Sequence, residues 1–221
     1  TRELALQVEE NLRRVGRGIG LRTAVLIGGA PMNPQVSALR AKPHVIIATP
    51  GRLVDHLERR TVELNRVHVL VLDEADRMLD MGFAPQLNQI LARVPKERQT
   101  LLFSATMPSE ITKMAAMHMR QPLRVEVAPQ GTTAERVKQE IFIVKKEDKI
   151  RLLNKVLSEV RGSVIVFSRT RHGAKKITRD VRAMGHTGAE IHSDRSLSQR
   201  REALEGFRSG KYRVLIATDI A

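Results

Sequence analysis

The chain has no cysteine, no tryptophan and only one tyrosine among its 221 residues. Without thiols it can build no disulfide scaffold, iron–sulfur cluster, thiolate zinc site or cysteine nucleophile. Aromatic side chains make up 3% of the residues, which argues against modules that read single strands by stacking bases on aromatic platforms. No apolar run approaches the ~18 residues a membrane helix needs, and the first residues lack the charge-then-apolar layout of a signal peptide. These absences predict a soluble, cytoplasmic protein with no membrane partner.

Acidic residues are the scarcer charge. Lys and Arg number 38 against 24 Asp and Glu, a formal charge of +14. An excess of this size favours a polyanionic partner, because each phosphate neutralised releases condensed counterions. A merely basic, well-solvated surface is the alternative. With so few aromatics, any nucleic acid is expected to be held through its backbone. Hydrophobic residues, at 42%, suffice for one large domain or two small ones.

Short apolar runs alternate with amphipathic helical patterns along the whole chain. Strands are predicted at 23–29, 44–50, 67–73, 99–105, 138–144, 163–169, 188–192 and 212–219. Runs such as VLVL and VIVF are continuous rather than alternating, which predicts strands buried on both faces. Leu4, Val8, Leu12 and Val15 repeat at helical spacing, as do Leu152, Leu153, Val156 and Val160, and then Ile177, Val181 and Met184. Such alternation implies an α/β fold of parallel sheets with helices on both faces. The one break is the stretch APQGTTAER from Ala128 to Arg136, which divides domains at 1–128 and 137–221 with a linker at 129–136. Both halves are basic, so one polyanion could lie across both.

The carboxyl ends of parallel strands are where open α/β sheets bind ligands. Val69 to Leu72 deliver Asp73 and Glu74 to such an end. A carboxylate there can hold Mg²⁺ in phosphoryl transfer and its neighbour can orient the attacking water, unless the strand simply ends in an acidic turn. LLFSAT ends in Ser104 and Thr106, whose hydroxyls could bond Asp76 or cap the next helix; Ser109 is read as that cap. Gly28-Gly29 and Thr49-Pro50-Gly51-Arg52 follow strands, where glycine lets amides approach an anion and Arg52 supplies a phosphate-matching fork. Ordinary βα turns would carry the same residues. Thr1 is placed to cap a helix that holds Arg2 at its positive end.

The second half sets Arg169, Thr170 and Arg171, then His192 and Asp194, then Gln199-Arg200-Arg201, and finally Ala217-Thr218-Asp219 at comparable positions. The histidines, His44, His56, His68, His118, His172 and His186 among them, show no ligand spacing and are read as surface or packing residues. Met114, Met117 and Met119 are read as gap-fillers on a packed helix.

Asp73-Glu74-Ala75-Asp76 spells DEAD. Together with TREL from Thr1, GG at Gly28, TPGR from Thr49, SAT from Ser104 and ATD from Ala217, the sequence resembles the DEAD-box RNA helicases over essentially its whole length. The tail from Arg195 onward resembles the bacterial RhlE-like branch. The resemblance implies two RecA-like domains with ATP and Mg²⁺ as cofactors and RNA as partner. It implies that Asp73 holds Mg²⁺ through water, that Glu74 activates the hydrolytic water, and that Asp76 binds Ser104 and Thr106 to couple the nucleotide to domain closure. Arg2, Gly28, Gly29, Thr49, Pro50, Gly51 and Arg52 would touch the RNA backbone from the first domain, Thr170, Arg200 and Thr218 from the second, and Asp219 would face the nucleotide. Four family features are not found between Thr1 and Ala221: the glycine-rich phosphate loop, the adenine-reading Gln motif, the arginine-finger motif, and a Gln at the position of Leu197, three residues before Arg200. The chain is therefore read as an internal fragment spanning motifs Ia to V, inactive by itself. A DNA helicase of the same superfamily and a non-enzymatic RNA-binding or annealing module are the alternatives.

Overall fold

The computed structural model describes residues 1–126 and 137–218, so the 129–136 linker and Asp219 lie outside the described residues. The chain divides into two compact units, between Val137 and Lys138. In the first unit α1 (Arg2–Gly16) precedes β1 (Thr23–Leu26), followed by α2 (Met32–Arg40), β2 (Val45–Ala48) and α3 (Pro50–Glu58). Then come β3 (Val69–Leu72), α4 (Ala75–Asp80), α5 (Ala84–Leu91), β4 (Gln99–Leu102) and α6 (Ser109–His118). The second unit runs α7 (Lys149–Glu159), β5 (Val164–Phe167), α8 (Arg171–Ala183), β6 (Gly188–Ile191), α9 (Leu197–Arg208) and β7 (Val214–Ala217). No helix among the described residues is long and apolar enough to cross a membrane.

Every described ladder is parallel, as βα alternation requires. The described residues of the second unit form a sheet in the order β5-β7-β6. Val214 and Ile216 of the central strand pack with Leu157, Ala174 and Val181, while Leu215 and Ala217 pack with Ala189, Ile191 and Ala203. Helices thus cover both faces of β7, whose four residues are all buried. Among the described residues, the first unit has two separate ladders, β1-β2 and β3-β4. Leu26 packs with Leu53, Val54, Leu57 and Ile90 in one core, and Leu72 with Ala75, Leu87, Ile111 and Met114 in another.

Several expectations need correction. Residues 138–144 form no strand: Ile141 and Ile143 are 92% and 99% exposed. A β-rich run becomes a strand only when a neighbour accepts its backbone hydrogen bonds, and none is paired with this segment among the described residues. Burial on both faces holds for β6 and β7 but not for β3, β4 or β5, where Val69, Val71, Leu101, Ile165 and Phe167 are exposed. Continuous apolar runs reveal strand propensity; what covers each face is decided by the packing of other elements. Val15, at the same helical spacing as Leu4, Val8 and Leu12, is exposed; α1 ends one residue later at Gly16, where a Cβ would collide with Leu21. Met117 is likewise exposed, whereas Met114 is buried. Ser109 is the first helical residue of α6, not its cap; Pro108 holds that position and offers no side-chain bond.

Candidate functional site

Asp73 and Glu74 stand at the carboxyl tip of β3. The tip is fastened to β4 by the Phe103 N–H donating to the Leu72 carbonyl at 2.8 Å and the Ala75 N–H to the Phe103 carbonyl at 3.0 Å. Asp73 is exposed, and its Oδ1 accepts the Glu74 N–H at 3.0 Å. Glu74 takes the left-handed conformation, φ 52° and ψ 50°, immediately before α4. For a residue with a Cβ this costs about 1–2 kcal/mol. That strain turns the chain sharply from strand to helix with both acidic side chains at the strand tip.

Asp76 has a different task. Its Oδ2 accepts the Thr106 hydroxyl at 2.7 Å and the Thr106 N–H at 2.8 Å, and its Oδ1 accepts the Arg77 N–H at 3.0 Å. Its own N–H donates to the Ser104 hydroxyl at 3.1 Å. Asp76, Ser104 and Thr106 are therefore brought together, with the Ser104 oxygen also accepting from the backbone. Burial would raise the Asp76 pKa, but the Thr106 hydroxyl and N–H, the Arg77 N–H and the Ser104 hydroxyl outweigh it and hold the carboxyl below its usual range. The unfolded value lies near ~3.9. A lowered folded value makes this tie fully present above about pH 4 and lost as pH falls through the folded value. In a carboxyl-carbon NMR titration, Asp76 should show a midpoint below the unfolded value, and Thr106→Val should move it upward.

The ends of β1 and β2 bring a second group together. Gly28 and Gly29 follow β1, with Gly29 at φ +76°. The Arg2 guanidinium lies 3.4 Å from where a Cβ at Gly29 would sit and 3.7 Å from that at Gly28. A side chain here would meet that group. Thr49 caps α3 by position; its hydroxyl donates to the Leu26 carbonyl at 3.4 Å and accepts no N–H from the helix. Pro50 opens α3, and Gly51 and Arg52 occupy its first turn. Arg52 Nη1 donates to the Ala30 carbonyl at 2.9 Å. A cavity of about 840 Å³ lies elsewhere, at the amino end of β1 beside Arg13, Arg17 and Arg22.

In the second unit Thr170 caps α8, its hydroxyl accepting the Gly173 N–H at 3.0 Å. Ser168 donates to the Thr170 carbonyl at 3.1 Å, and a Cβ at Gly173 would fall 2.5 Å from the Ser168 oxygen. Asp194 bonds Arg171, and Lys175 at 3.4 Å. Arg200 and Thr218 are buried, each 5% exposed. His192 is fully buried; burial lowers its pKa against the opposing pull of Glu190, which also pairs with Arg195. Sequence reasoning missed Glu190, Ser168 and Gly173. Glu190 lies inside an apolar-looking strand, and only its burial distinguishes it.

The described residues include no cluster of three or more His, Asp or Glu able to enclose a metal ion. Asp73 nevertheless fits Mg²⁺ of the kind that keeps its waters and rests on one carboxylate and substrate phosphates, since it is exposed and its Oδ1 accepts the neighbouring Glu74 N–H.

Comparison with known proteins agrees with this arrangement. The family model "DEAD/DEAH box helicase" matches residues 1–114, and "Helicase conserved C-terminal domain" matches 148–221. The chain is 44% identical to the ATP-dependent rRNA helicase RRP3 of Yarrowia lipolytica, over 100% of this chain and 46% of that protein. It is 41% identical to the DEAD-box ATP-dependent RNA helicase CshA of Bacillus licheniformis, with the same coverage. The chain thus spans about half the length of the curated relatives it matches. Among solved structures, S. cerevisiae Dbp5 bound to RNA and ADP BeF3 superposes with a TM-score of 0.86 at 26% identity, covering 100% of this chain and 56% of that one. The two units accordingly share the RecA-like α/β architecture of such helicases. With the tetrapeptide from Asp73 to Asp76 as its signature, the chain belongs to the DEAD/DEAH box helicase family.

Proposed function

We propose that the full-length protein is an ATP-dependent RNA helicase that couples ATP hydrolysis to local unwinding, with residues 1–128 in its ATP-binding domain and 137–221 in its C-terminal domain. The observation that carries this reading is the division of labour among three carboxylates. Asp73 and Glu74 stand at a strand tip, while Asp76 is engaged by Thr106 and Ser104. Asp73 would hold hydrated Mg²⁺, which when bound would neutralise charge on the phosphates. Glu74 would accept a proton from the attacking water, and Asp219 would face the nucleotide. The Asp76–Thr106 tie connects that tip to the segment after β4, so a change at the phosphates can be felt beyond the pocket. Arg2, Gly28, Gly29, Thr49, Pro50, Gly51 and Arg52 would grip a sugar-phosphate backbone from the first unit, and Thr170, Arg200 and Thr218 from the second. Such contacts carry no base information, which suits a sequence-tolerant enzyme.

The burial of Arg200 and Thr218 requires that they act by holding the segments that carry them, or that binding expose them. A cytoplasmic location accompanies the RNA substrate. The tail from Arg195 supports a place in the bacterial RhlE-like branch, which relatives named RRP3, DbpA and CshA do not single out. Residues 1–221 hold no GxGKT-like loop, and by themselves should turn over no ATP.

The test is steady-state ATPase of the full-length protein with RNA or DNA of equal sequence. Strong stimulation by RNA and little by DNA is expected. Equal stimulation would favour a DNA helicase of the same superfamily; RNA binding without turnover would favour an annealing module.

A further inference from the structure

Gln35 and His56 are polar side chains buried in the first unit, 6% and 0% exposed. Buried amides and imidazoles are tolerated only when hydrogen bonded, so their partners are informative. Gln35, on α2, directs its amide nitrogen at the loop after β1. It donates to the carbonyls of Ile27 and Ala30 at 3.3 Å each and of Pro31 at 3.0 Å. Three acceptors around one end of the amide identify that end as nitrogen. The amide oxygen faces His56 Nε2 at 3.3 Å, so Nε2 bears the hydrogen and donates. His56 Nδ1 lies 2.7 Å from the Thr61 hydroxyl. One turn earlier on α3, Arg52 reaches the same Ala30 carbonyl. The loop bearing Gly28 and Gly29 is thus held by α2 and α3 together.

The consequence is stereochemical. A trans peptide is planar, with its N–H opposite its carbonyl, and the described residues include no cis bond. Turning the Ile27 carbonyl toward Gln35 turns the Gly28 N–H away from it. An anion approaching from that side meets an N–H rather than a carbonyl oxygen. A loop already held this way loses less freedom when it binds.

We propose that Gln35 and His56 are positioning residues that preorganise the Gly28-Gly29 loop for a sugar-phosphate backbone, an inference that rests on the RNA-binding reading above. Gln35→Leu keeps the bulk and removes every bond; Gln35→Glu keeps an acceptor for His56 but no donor for the loop. His56→Gln retains a donor, and His56→Leu does not. The experiment measures single-stranded RNA affinity of the full-length protein saturated with ADP–beryllium fluoride, alongside its RNA-free ATPase KM and its melting temperature.

Gln35→Leu, Gln35→Glu and His56→Leu should weaken RNA binding about tenfold with KM for ATP unchanged, and His56→Gln should return to within about twofold of the unsubstituted protein. Amide exchange at Gly28 and Gly29 should quicken in Gln35→Glu while β2 stays protected. Unchanged RNA affinity in a folded Gln35→Leu protein overturns the proposal. So does a parallel loss of RNA binding, ATP binding and melting temperature across the variants, which marks a purely structural role. An unsubstituted protein that binds no RNA would instead overturn the reading beneath it.

Discussion

Glu74→Gln in the full-length protein should lower RNA-stimulated ATP turnover by about 10²–10⁴-fold, the usual contribution of a positioned general base, with nucleotide binding retained. The substitution is nearly isosteric. It keeps the left-handed backbone at φ 52° and the helix that begins at Ala75. What it removes is the capacity to accept a proton at the tip of β3. Asp73 and the Asp76–Thr106 tie remain intact, so metal and nucleotide should still be held. Single-turnover hydrolysis beside equilibrium nucleotide binding separates the two effects. A variant that hydrolyses ATP as fast as the unsubstituted protein would remove the proton-acceptor role and leave the annealing reading in the field.

The largest expected stability effect lies in the second unit, at Arg213. Its guanidinium donates through Nε to the Gly162 carbonyl at 3.2 Å and through Nη2 to the Leu157 carbonyl at 2.6 Å and to that of Val160. Nη1 lies 2.9 Å from His186 Nδ1. Carbonyls in the last turn of a helix have no partner within it, and a cation there also complements the helix dipole. Arg213 therefore closes the end of α7 and fastens it to the start of β7, the central strand. Arg213→Ala should destabilise this unit by about 2–4 kcal/mol, through lost charge-assisted bonds and carbonyls left unmet. Arg213→Lys, which keeps the charge but not the planar fork, should fall between. Urea denaturation followed by a probe in residues 138–218 measures this; a midpoint unchanged by Arg213→Ala would show the fan of bonds to be incidental.

Both predictions depend on geometry that the sequence only partly foretold. Asp73 and Glu74 were legible because a four-residue apolar strand must deliver whatever follows it to one edge of the sheet. Thr1 was legible as a helix cap, since a hydroxyl before a helix meets its free N–H groups locally, and its oxygen does accept the Leu4 N–H. Gln35, by contrast, lies in a polar-looking stretch of α2, and His56 among charged residues of α3. Nothing in either local pattern signals burial, because each is buried by elements distant in the chain. The 138–144 segment failed in the opposite direction. Its β-branched residues have strand propensity, but the described fold pairs no strand with them.

What the amino-acid order determined by itself is what depends on near neighbours: the alternation of strand and helix, the parallel sense of the ladders, and the carboxylates at a strand tip. What only tertiary structure decided is which side chains are enclosed and which are left facing out. Enclosure made Gln35 and His56 a brace for the glycine loop, buried Arg200 and Thr218, and left Val69 and Val71 exposed. The physical reason is that periodicity and capping act over a few residues, whereas burial and the pairing of polar groups depend on elements that approach one another only in the folded chain.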